Sequence, residues 1–225
     1  MCSMVAGDIR LANRGDWLFD RIVATGSLVL RRVGGDRAGE VAGHRFLDNG
    51  KVDVAGIVDC FAWRTQTACV GRRVVAVQDT TEVNFAGRDA GRHGLGAAGN
   101  GKALGFFIHP VVAVDADDGA VLGVVDAEIW TRDGAPPAAK ADRRKRCFED
   151  KESRRWLGGA VAAAARLVGA RPVLVVGDRE SDTYPVFARR PAGVALTVRF
   201  AQDRSVAPAG RLFAACLEAL GGPGA

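Results

Sequence analysis

Two apolar runs that each end in a carboxylate constrain the fold more than any other feature of this sequence. The run RRVVAVQD ends at Asp79, and the run VLVVGD ends at Asp178. Continuous apolar runs of this length are typical of parallel strands that are buried on both faces of a sheet. Because ligands bind in the crevice outside the carboxyl ends of such strands, the two aspartates are candidate site residues.

The other segments of this part of the chain predict a mixed sheet. FFIHPVVAV and VLGVVDAEIW are typical of two strands joined by the acidic turn DADDGA. Pro110 cannot donate a hydrogen bond to a ladder, so we expect a bulge or an unpaired stretch there. KESRRWLGGAVAAAARL predicts a long helix, and SDTYPVFARR, VALTVRF and RLFAACLEAL predict a helix, a strand and a last helix.

The order of elements from Arg73 is therefore strand, strand, strand, helix, strand, helix, strand, helix. A hairpin meander followed by βα units predicts an α/β fold with a mixed sheet and helices on its faces. This order matches the RNase H-like fold. It differs from a doubly wound sheet, in which helices separate the early strands.

The segment before Arg73 predicts a small helical domain with mixed charges. We expect a helical DNA-binding domain at residues 1–68 and an α/β catalytic domain at residues 69–225. The formal net charge of +5 fits a polyanionic partner such as DNA. Contact with DNA phosphates is predicted for three arginines, and the alternative is an ordinary solvated helix face; the three are Arg31, Arg32 and Arg45.

Cysteine usage and the apolar segments predict a location in the bacterial cytoplasm. The five cysteines are odd in number and form no C-x-x-C pair, which favours a reduced protein over a disulfide framework or a zinc site. The start MCSMVAGDIR has no secretory signal, and GGAVAAAA is too short to span a bilayer. We therefore expect no membrane partner.

The pair of aspartates predicts a divalent metal site. If the two apolar strands are parallel neighbours, the carboxylates lie side by side. At about 4 Å they would repel by about 4 kcal/mol at an effective dielectric near 20, so they would recruit a cation. Oxygen ligands favour Mg²⁺ or Mn²⁺, which can activate water for phosphodiester cleavage. The alternative is that each aspartate only caps the turn that follows it.

Several blocks of the sequence together resemble one family. They are VVAVQDTTEVNF, GLGAAGNGKALGFFIHPVVAVD, DGAVLGVVDAEIWTR, KESRRWL, VVGDRESDTYPVF and LTVRFAQDR. This series is similar to the DDE transposases of the IS-four and Tn-five type, which are bacterial cut-and-paste insertion-sequence enzymes. QDTTE and GDRESDTY are its most specific parts. GDIRLANR and AGHRFLDNGKV resemble that family's small helical domain, which binds transposon ends, so the resemblance covers nearly the whole chain.

The resemblance implies a chemistry and a set of partners. A metal-activated water nicks one strand at the transposon end, and the freed 3′-hydroxyl makes a hairpin and later joins target DNA. The partners implied are double-stranded DNA and a second copy of the protein, and the implied location is the bacterial nucleoid. Asp79 and Asp178 match the family's first and second acidic positions, which bind Mg²⁺ or Mn²⁺.

The family's third acidic position has no match in this sequence. It is a glutamate in the pattern Tyr-x2-Arg-x3-Glu-x6-Lys, whereas Tyr184 is followed by Phe187 and Pro191 at the arginine and glutamate positions. The resemblance therefore implies a catalytic domain truncated at its carboxy terminus, with weak metal binding and no strand transfer by these residues alone. Glu152 is a candidate substitute for the third carboxylate, and the alternative for it is a solvated helix face.

Neighbours of the two aspartates have two interpretations each. Thr80 either touches a DNA phosphate or serves the turn, and Arg179 either holds a phosphate or neutralises nearby acids. Glu180 and Asp182 are expected to start the following helix. His109 is expected to be structural or exposed.

Two other functions remain open for the chain. One is a catalytically dead transposase that acts only as a DNA-binding or inhibitory module. The other is a Mg²⁺-dependent, phosphatase-like α/β protein that uses Asp79, although the D-x-D expected at its first strand is missing.

Overall fold

A computed structural model describes residues 8–85, 93–98, 103–132, 145–208 and 210–221 of the chain. The prediction about a secretory signal falls on the start MCSMVAGDIR, of which residues 1–7 lie outside the described part. The chain begins with four helices, α1 (Ile9–Thr25), α2 (Leu30–Gly34), α3 (Arg37–Leu47) and α4 (Val54–Cys69).

Local sequence explains where these helices begin and end. Asp8, Asp36 and Asp53 precede α1, α3 and α4, and each carboxylate accepts hydrogen bonds from backbone N–H groups of the first turn. Gly26 ends α1 in the left-handed conformation. The helices share one cluster of buried side chains, formed by Leu18, Val33, Phe46 and Cys60.

The sheet is mixed, as predicted. Its strands are β1 (Val74–Gln78), β2 (Thr81–Asn84), β3 (Gly96–Ala98), β4 (Ala103–Asp115), β5 (Val121–Trp130), β6 (Val173–Gly177) and β7 (Val194–Val198). β1, β6 and β7 are parallel neighbours in that order. β4 runs antiparallel to β1 and β2 and also pairs with β3 and β5. The prediction of an α/β fold with a mixed sheet is confirmed.

β1 and β2 pair with successive parts of β4, and two residues between them are unpaired. Gln78 pairs with Val111 and Thr81 pairs with Ile108, so residues 79 and 80 lie unpaired opposite Pro110 and His109. The sequence predicts an irregularity at Pro110, and the structure confirms it. Proline has no N–H to donate across the ladder, which explains why pairing stops there. A register shift between β4 and β5 follows directly, between residues 111 and 112.

The remaining helices are α5 (Arg154–Arg166), α6 (Tyr184–Ala188) and α7 (Leu212–Ala219). A short two-stranded sheet, β8 (Ser205–Val206) and β9 (Gly210–Arg211), precedes α7. The long helix starts later than the sequence predicts, since Lys151 and Glu152 lie in the turn before it. The strands β2 and β3 are additional to the predicted order.

The second cluster of buried side chains lies between the sheet and the helices α4 and α5. It includes Val74, Ala76, Val111, Ala160 and Val175. α4 takes part in both clusters, because its middle contributes Cys60 to the first and its end contributes Cys69 to the second. The division of the chain after residue 68 falls at the end of this helix and stays a prediction. None of the described helices is long and apolar enough to cross a membrane.

Candidate active site

Asp79 and Asp178 occupy equivalent places at the ends of neighbouring parallel strands. β1 and β6 pair in a constant register, in which Val77 lies beside Val176. Asp79 and Asp178 each come two residues after this last pair, beyond the ladder. Since neighbouring strands lie about 4.8 Å apart, the backbone positions of the two aspartates lie at the same edge of the sheet.

Each of these carboxylates is oriented by a backbone hydrogen bond. Asp79 Oδ1 accepts from the Thr80 N–H at 2.7 Å, and Asp178 Oδ1 accepts from the Glu180 N–H at 2.8 Å. Asp178 thereby caps a short 3₁₀ turn at Arg179–Ser181. Within the described part of the chain, the Oδ2 atoms accept no hydrogen bond, so both can act as ligands.

The pair fits a small divalent cation. Mg²⁺ is commonly held by one or two carboxylates, and it keeps several waters or takes phosphate oxygens as its other ligands. Two carboxylate oxygens at the end of a sheet supply that donor set. Among the described residues, no three His, Cys, Asp or Glu side chains lie close enough together to hold a metal ion. Asp79 and Asp178 are therefore the candidate ligands among the described residues.

A chain of buried polar groups lies directly behind the gap between β1 and β2. Gln78 Nε2 donates to the Trp156 carbonyl at 3.1 Å, so its Oε1 must accept from His109 Nε2, also at 3.1 Å. His109 Nδ1 is then the acceptor for the Thr80 hydroxyl at 2.9 Å. The Thr80 oxygen in turn accepts from Arg155 Nε at 2.7 Å. Each of these four hydrogen bonds joins one donor to one acceptor when His109 is neutral.

The environment of His109 keeps it neutral. The side chain is 2% exposed. Burial is the largest cause that lowers the pKa of His109 to about 4, and the positive charge of Arg155 lowers it further. The negative charge of Asp178 acts in the opposite direction and is outweighed. Of the two expectations for His109, structural or exposed, the structural one is right. His109 also contacts the candidate site through its hydrogen bond with Thr80.

Arg155 is the site residue that sequence reasoning missed. It is the second residue of α5, and its side chain is only 8% exposed. Nε bonds to Thr80, and Nη2 donates to Glu180 Oε2 at 2.8 Å. The guanidinium also lies over the rings of Trp130 and Trp156, at 5.4 and 5.6 Å from their centroids. A buried charge is rare unless it is paired, but no local pattern in KESRRWL marks Arg155 as the buried one.

The sequence predicts that Glu180 and Asp182 start the next helix, and this prediction is wrong. α6 begins at Tyr184, after Thr183. Glu180 reaches back to Arg155. Asp182 is fully buried, accepts from the Ala201 and Gln202 N–H groups, and pairs with Arg204. Its carboxylate therefore holds the segment that follows β7 and takes no part in helix capping.

Glu152 does not join the aspartates. It binds Arg132 through both carboxylate oxygens, at 2.7 and 2.6 Å. The hydrogen bond from Arg132 is the largest cause that lowers the pKa of Glu152. Because both oxygens are engaged in this pair, Glu152 is a poor substitute for a third metal ligand.

The arginines predicted to contact DNA lie on the surface of the helical segment, and Arg179 is exposed beside Asp178. An open groove of about 800 Å³ runs between α1 and α3. Four arginines line it, and no acidic residue does; the four are Arg10, Arg14, Arg37 and Arg45. Of the predicted set, Arg45 lies in this groove. Arg31 and Arg32 lie on α2, outside its lining.

No protein-family model matches this sequence. The fold and the site define the class of protein by themselves: an α/β protein with a mixed sheet and a pair of carboxylates at the ends of two adjacent parallel strands. A helical segment with an arginine-lined groove precedes the sheet in the chain.

Proposed function

We propose that this chain is the RNase H-like part of a DNA-cutting transposase of the DDE type, with a helical segment that binds DNA. The observation that carries the proposal is that Asp79 and Asp178 each come two residues after the last pair of the parallel strands β1 and β6. The order of the strands and the basic groove between α1 and α3 support it. The partners proposed are double-stranded DNA, at transposon ends and at the target, and a second copy of the chain. The proposed location is the bacterial nucleoid.

Asp79 and Asp178 are the residues that would hold a cation, each through its carboxylate. A bound Mg²⁺ or Mn²⁺ would supply an activated water and stabilise the leaving oxygen in phosphodiester cleavage. Asp79 and Asp178 would orient the cation, and the Thr80 and Glu180 N–H groups keep the two carboxylates in place. Since the sequence matches two of the family's three acidic positions, we expect weak metal binding and no strand transfer by these residues alone.

Replacing either aspartate with asparagine should remove most of the affinity for Mn²⁺. Each substitution takes away one anionic ligand, so the dissociation constant should rise at least tenfold, which is the lower end of the range that is common when residues that only support a ligand are lost. The signal of free Mn²⁺ in electron paramagnetic resonance measures this directly, for Asp79→Asn and Asp178→Asn.

The matched control removes two carboxylates that are exposed at the turn between β4 and β5. Asp117→Asn with Asp118→Asn changes the net charge by more than either site variant, yet Mn²⁺ binding should stay at the wild-type level. Equal binding by the wild type, Asp79→Asn and Asp178→Asn would contradict the proposal. Tight Mn²⁺ binding by the wild type would contradict the expectation of a weak site.

The groove between α1 and α3 should contribute phosphate contacts to DNA binding. Each arginine that neutralises one phosphate adds about one unit to the slope of log K against log salt concentration. We therefore expect Arg14→Gln and Arg45→Gln each to lower that slope by about one in fluorescence anisotropy with a labelled duplex. Arg73→Gln, at an exposed arginine beside β1, is the control that should leave the slope unchanged.

A second candidate function is a DNA-binding or inhibitory module without chemistry. The arginine-lined groove favours it. Nicking of a supercoiled plasmid separates the two functions. Mn²⁺-dependent nicking that Asp79→Asn abolishes supports the enzyme, whereas binding without nicking supports the module.

A further inference from the structure

The two segments that carry the aspartates lie outside the hydrogen-bonded ladder of the sheet. Residues 79 and 80 are unpaired opposite Pro110 and His109, and Asp178 comes after the last residue of β6. The ladder therefore does not fix the separation of the two carboxylates. Some other contact has to hold these segments relative to one another.

Arg155 makes that contact from a third element. Its Nε donates to Thr80 at 2.7 Å, and its Nη2 donates to Glu180 at 2.8 Å. The two nitrogens belong to one planar guanidinium, so their separation is constant. A single rigid group thus joins the segment that follows β1 to the segment that follows β6.

The residues that Arg155 holds are also the ones that orient the carboxylates. The Thr80 N–H donates to Asp79, and the Glu180 N–H donates to Asp178. Arg155 is itself anchored, because it is buried at the start of α5 and lies over the rings of Trp130 and Trp156. A displacement of the guanidinium would consequently move both carboxylates.

We infer that Arg155 is a positioning residue that sets the spacing of Asp79 and Asp178 for a divalent cation, by bracing Thr80 and Glu180 with one guanidinium. This inference rests on the proposed function, because it concerns the same two carboxylates. The inference adds Arg155 to the site as a residue that acts through Thr80 and Glu180, without contact to the cation or to DNA. Lysine cannot replace it fully, since one ammonium group does not offer two donors at a constant separation.

Arg155→Met should weaken Mn²⁺ binding about 10- to 100-fold, as the loss of groups that support metal ligands commonly does. Arg155→Lys should lie between Arg155→Met and the wild type. The matched control is Arg166→Met on the same helix, where Arg166 binds the Val125 carbonyl and Asp59. It removes an arginine with similar partners at the other end of α5, and it should leave Mn²⁺ affinity unchanged although it lowers stability.

Thr80 provides a second test that leaves the charge of the site unchanged. Thr80→Val removes the hydroxyl that Arg155 and His109 bind, and it should weaken Mn²⁺ binding as well. Thr80→Ser returns the hydroxyl and should restore the affinity. Hydrogen exchange of the Thr80 and Glu180 amides should be faster in Arg155→Met and Thr80→Val, and unchanged in Arg166→Met.

The outcomes separate the inference from the proposed function. If the wild type binds Mn²⁺ through its two aspartates and Arg155→Met binds it equally well, the inference is wrong and the proposed function stands. A loss of affinity in Arg166→Met as large as that in Arg155→Met would also overturn the inference, because general destabilisation would then explain both. If Asp79→Asn and Asp178→Asn leave Mn²⁺ binding unchanged, the proposed function fails and the inference fails with it.

Discussion

Gly159→Ala should lower the free energy of unfolding by about 2–4 kcal/mol, although alanine is the better helix former. A Cβ at this position of α5 would overlap Gln78 Oε1 and come within 2.9 Å of Val111 Cγ2. Gln78 cannot swing away at low cost, because it is buried and both of its amide atoms are bonded, one to Trp156 and one to His109. Overpacking and the loss of these buried hydrogen bonds therefore act together.

The neighbouring glycine is the control for this prediction. A Cβ at Gly158 meets nothing within 4 Å, so Gly158→Ala should raise stability by about 0.5–1 kcal/mol through helix propensity alone. Urea unfolding followed by circular dichroism measures both changes. If both substitutions change the free energy of unfolding in the same direction, the prediction is contradicted. The close approach of α5 to Gln78 and Val111 at Gly159 would then be wrong.

Stability should fall by about 2 kcal/mol between pH 7 and pH 5 because of His109. The pKa of His109 is about 4 in the folded chain, against an ordinary value of 6.5. In this interval the unfolded chain takes up a proton on His109 and the folded chain does not, so the unfolded state is favoured as the pH falls. Most aspartates and glutamates titrate nearer pH 4, which makes this window suitable for the histidine.

The measurement is urea unfolding at a series of pH values for the wild type, His109→Gln and His44→Gln. Glutamine offers one donor and one acceptor but does not titrate, so His109→Gln should flatten the slope between pH 7 and pH 5. His44 is exposed, and its replacement should leave the slope as it is in the wild type. A wild-type slope that survives in His109→Gln would contradict a neutral, buried His109.

Much of the sheet could be predicted because its strands carry local signals. The runs that became β1 and β6 are apolar over their whole length. Val74, Ala76, Val173 and Val175 are buried, but burial alternates along both strands and Val77 is 39% exposed, so the prediction of burial on both faces is wrong. β2 and β3 escaped prediction because TEVN and GAA are short and lack a long apolar pattern. Their pairing depends on β4, which is long enough to hold several partners along its edges.

Some residues of the candidate site could be predicted from the sequence, and others could not. Asp79 and Asp178 are recognisable from sequence, since a carboxylate directly after a buried strand is a local feature. Arg155, His109 and Gln78 are not recognisable, because a basic residue in KESRRWL, a histidine in FFIHPVV and a glutamine in VVAVQD each read as ordinary members of a helix or a strand. Their roles arise from contacts between elements that lie far apart in the chain.

The sequence by itself determined the α/β class, the two strands that end in aspartate and the irregularity at Pro110, because hydrophobic pattern and proline chemistry act within a few residues. Only the tertiary structure decided which polar side chains are buried together, and that Glu180 pairs with Arg155 while Glu152 pairs with Arg132. The physical reason is that a buried charge or amide is stable only beside a partner, and that partner comes from another element once the fold has formed.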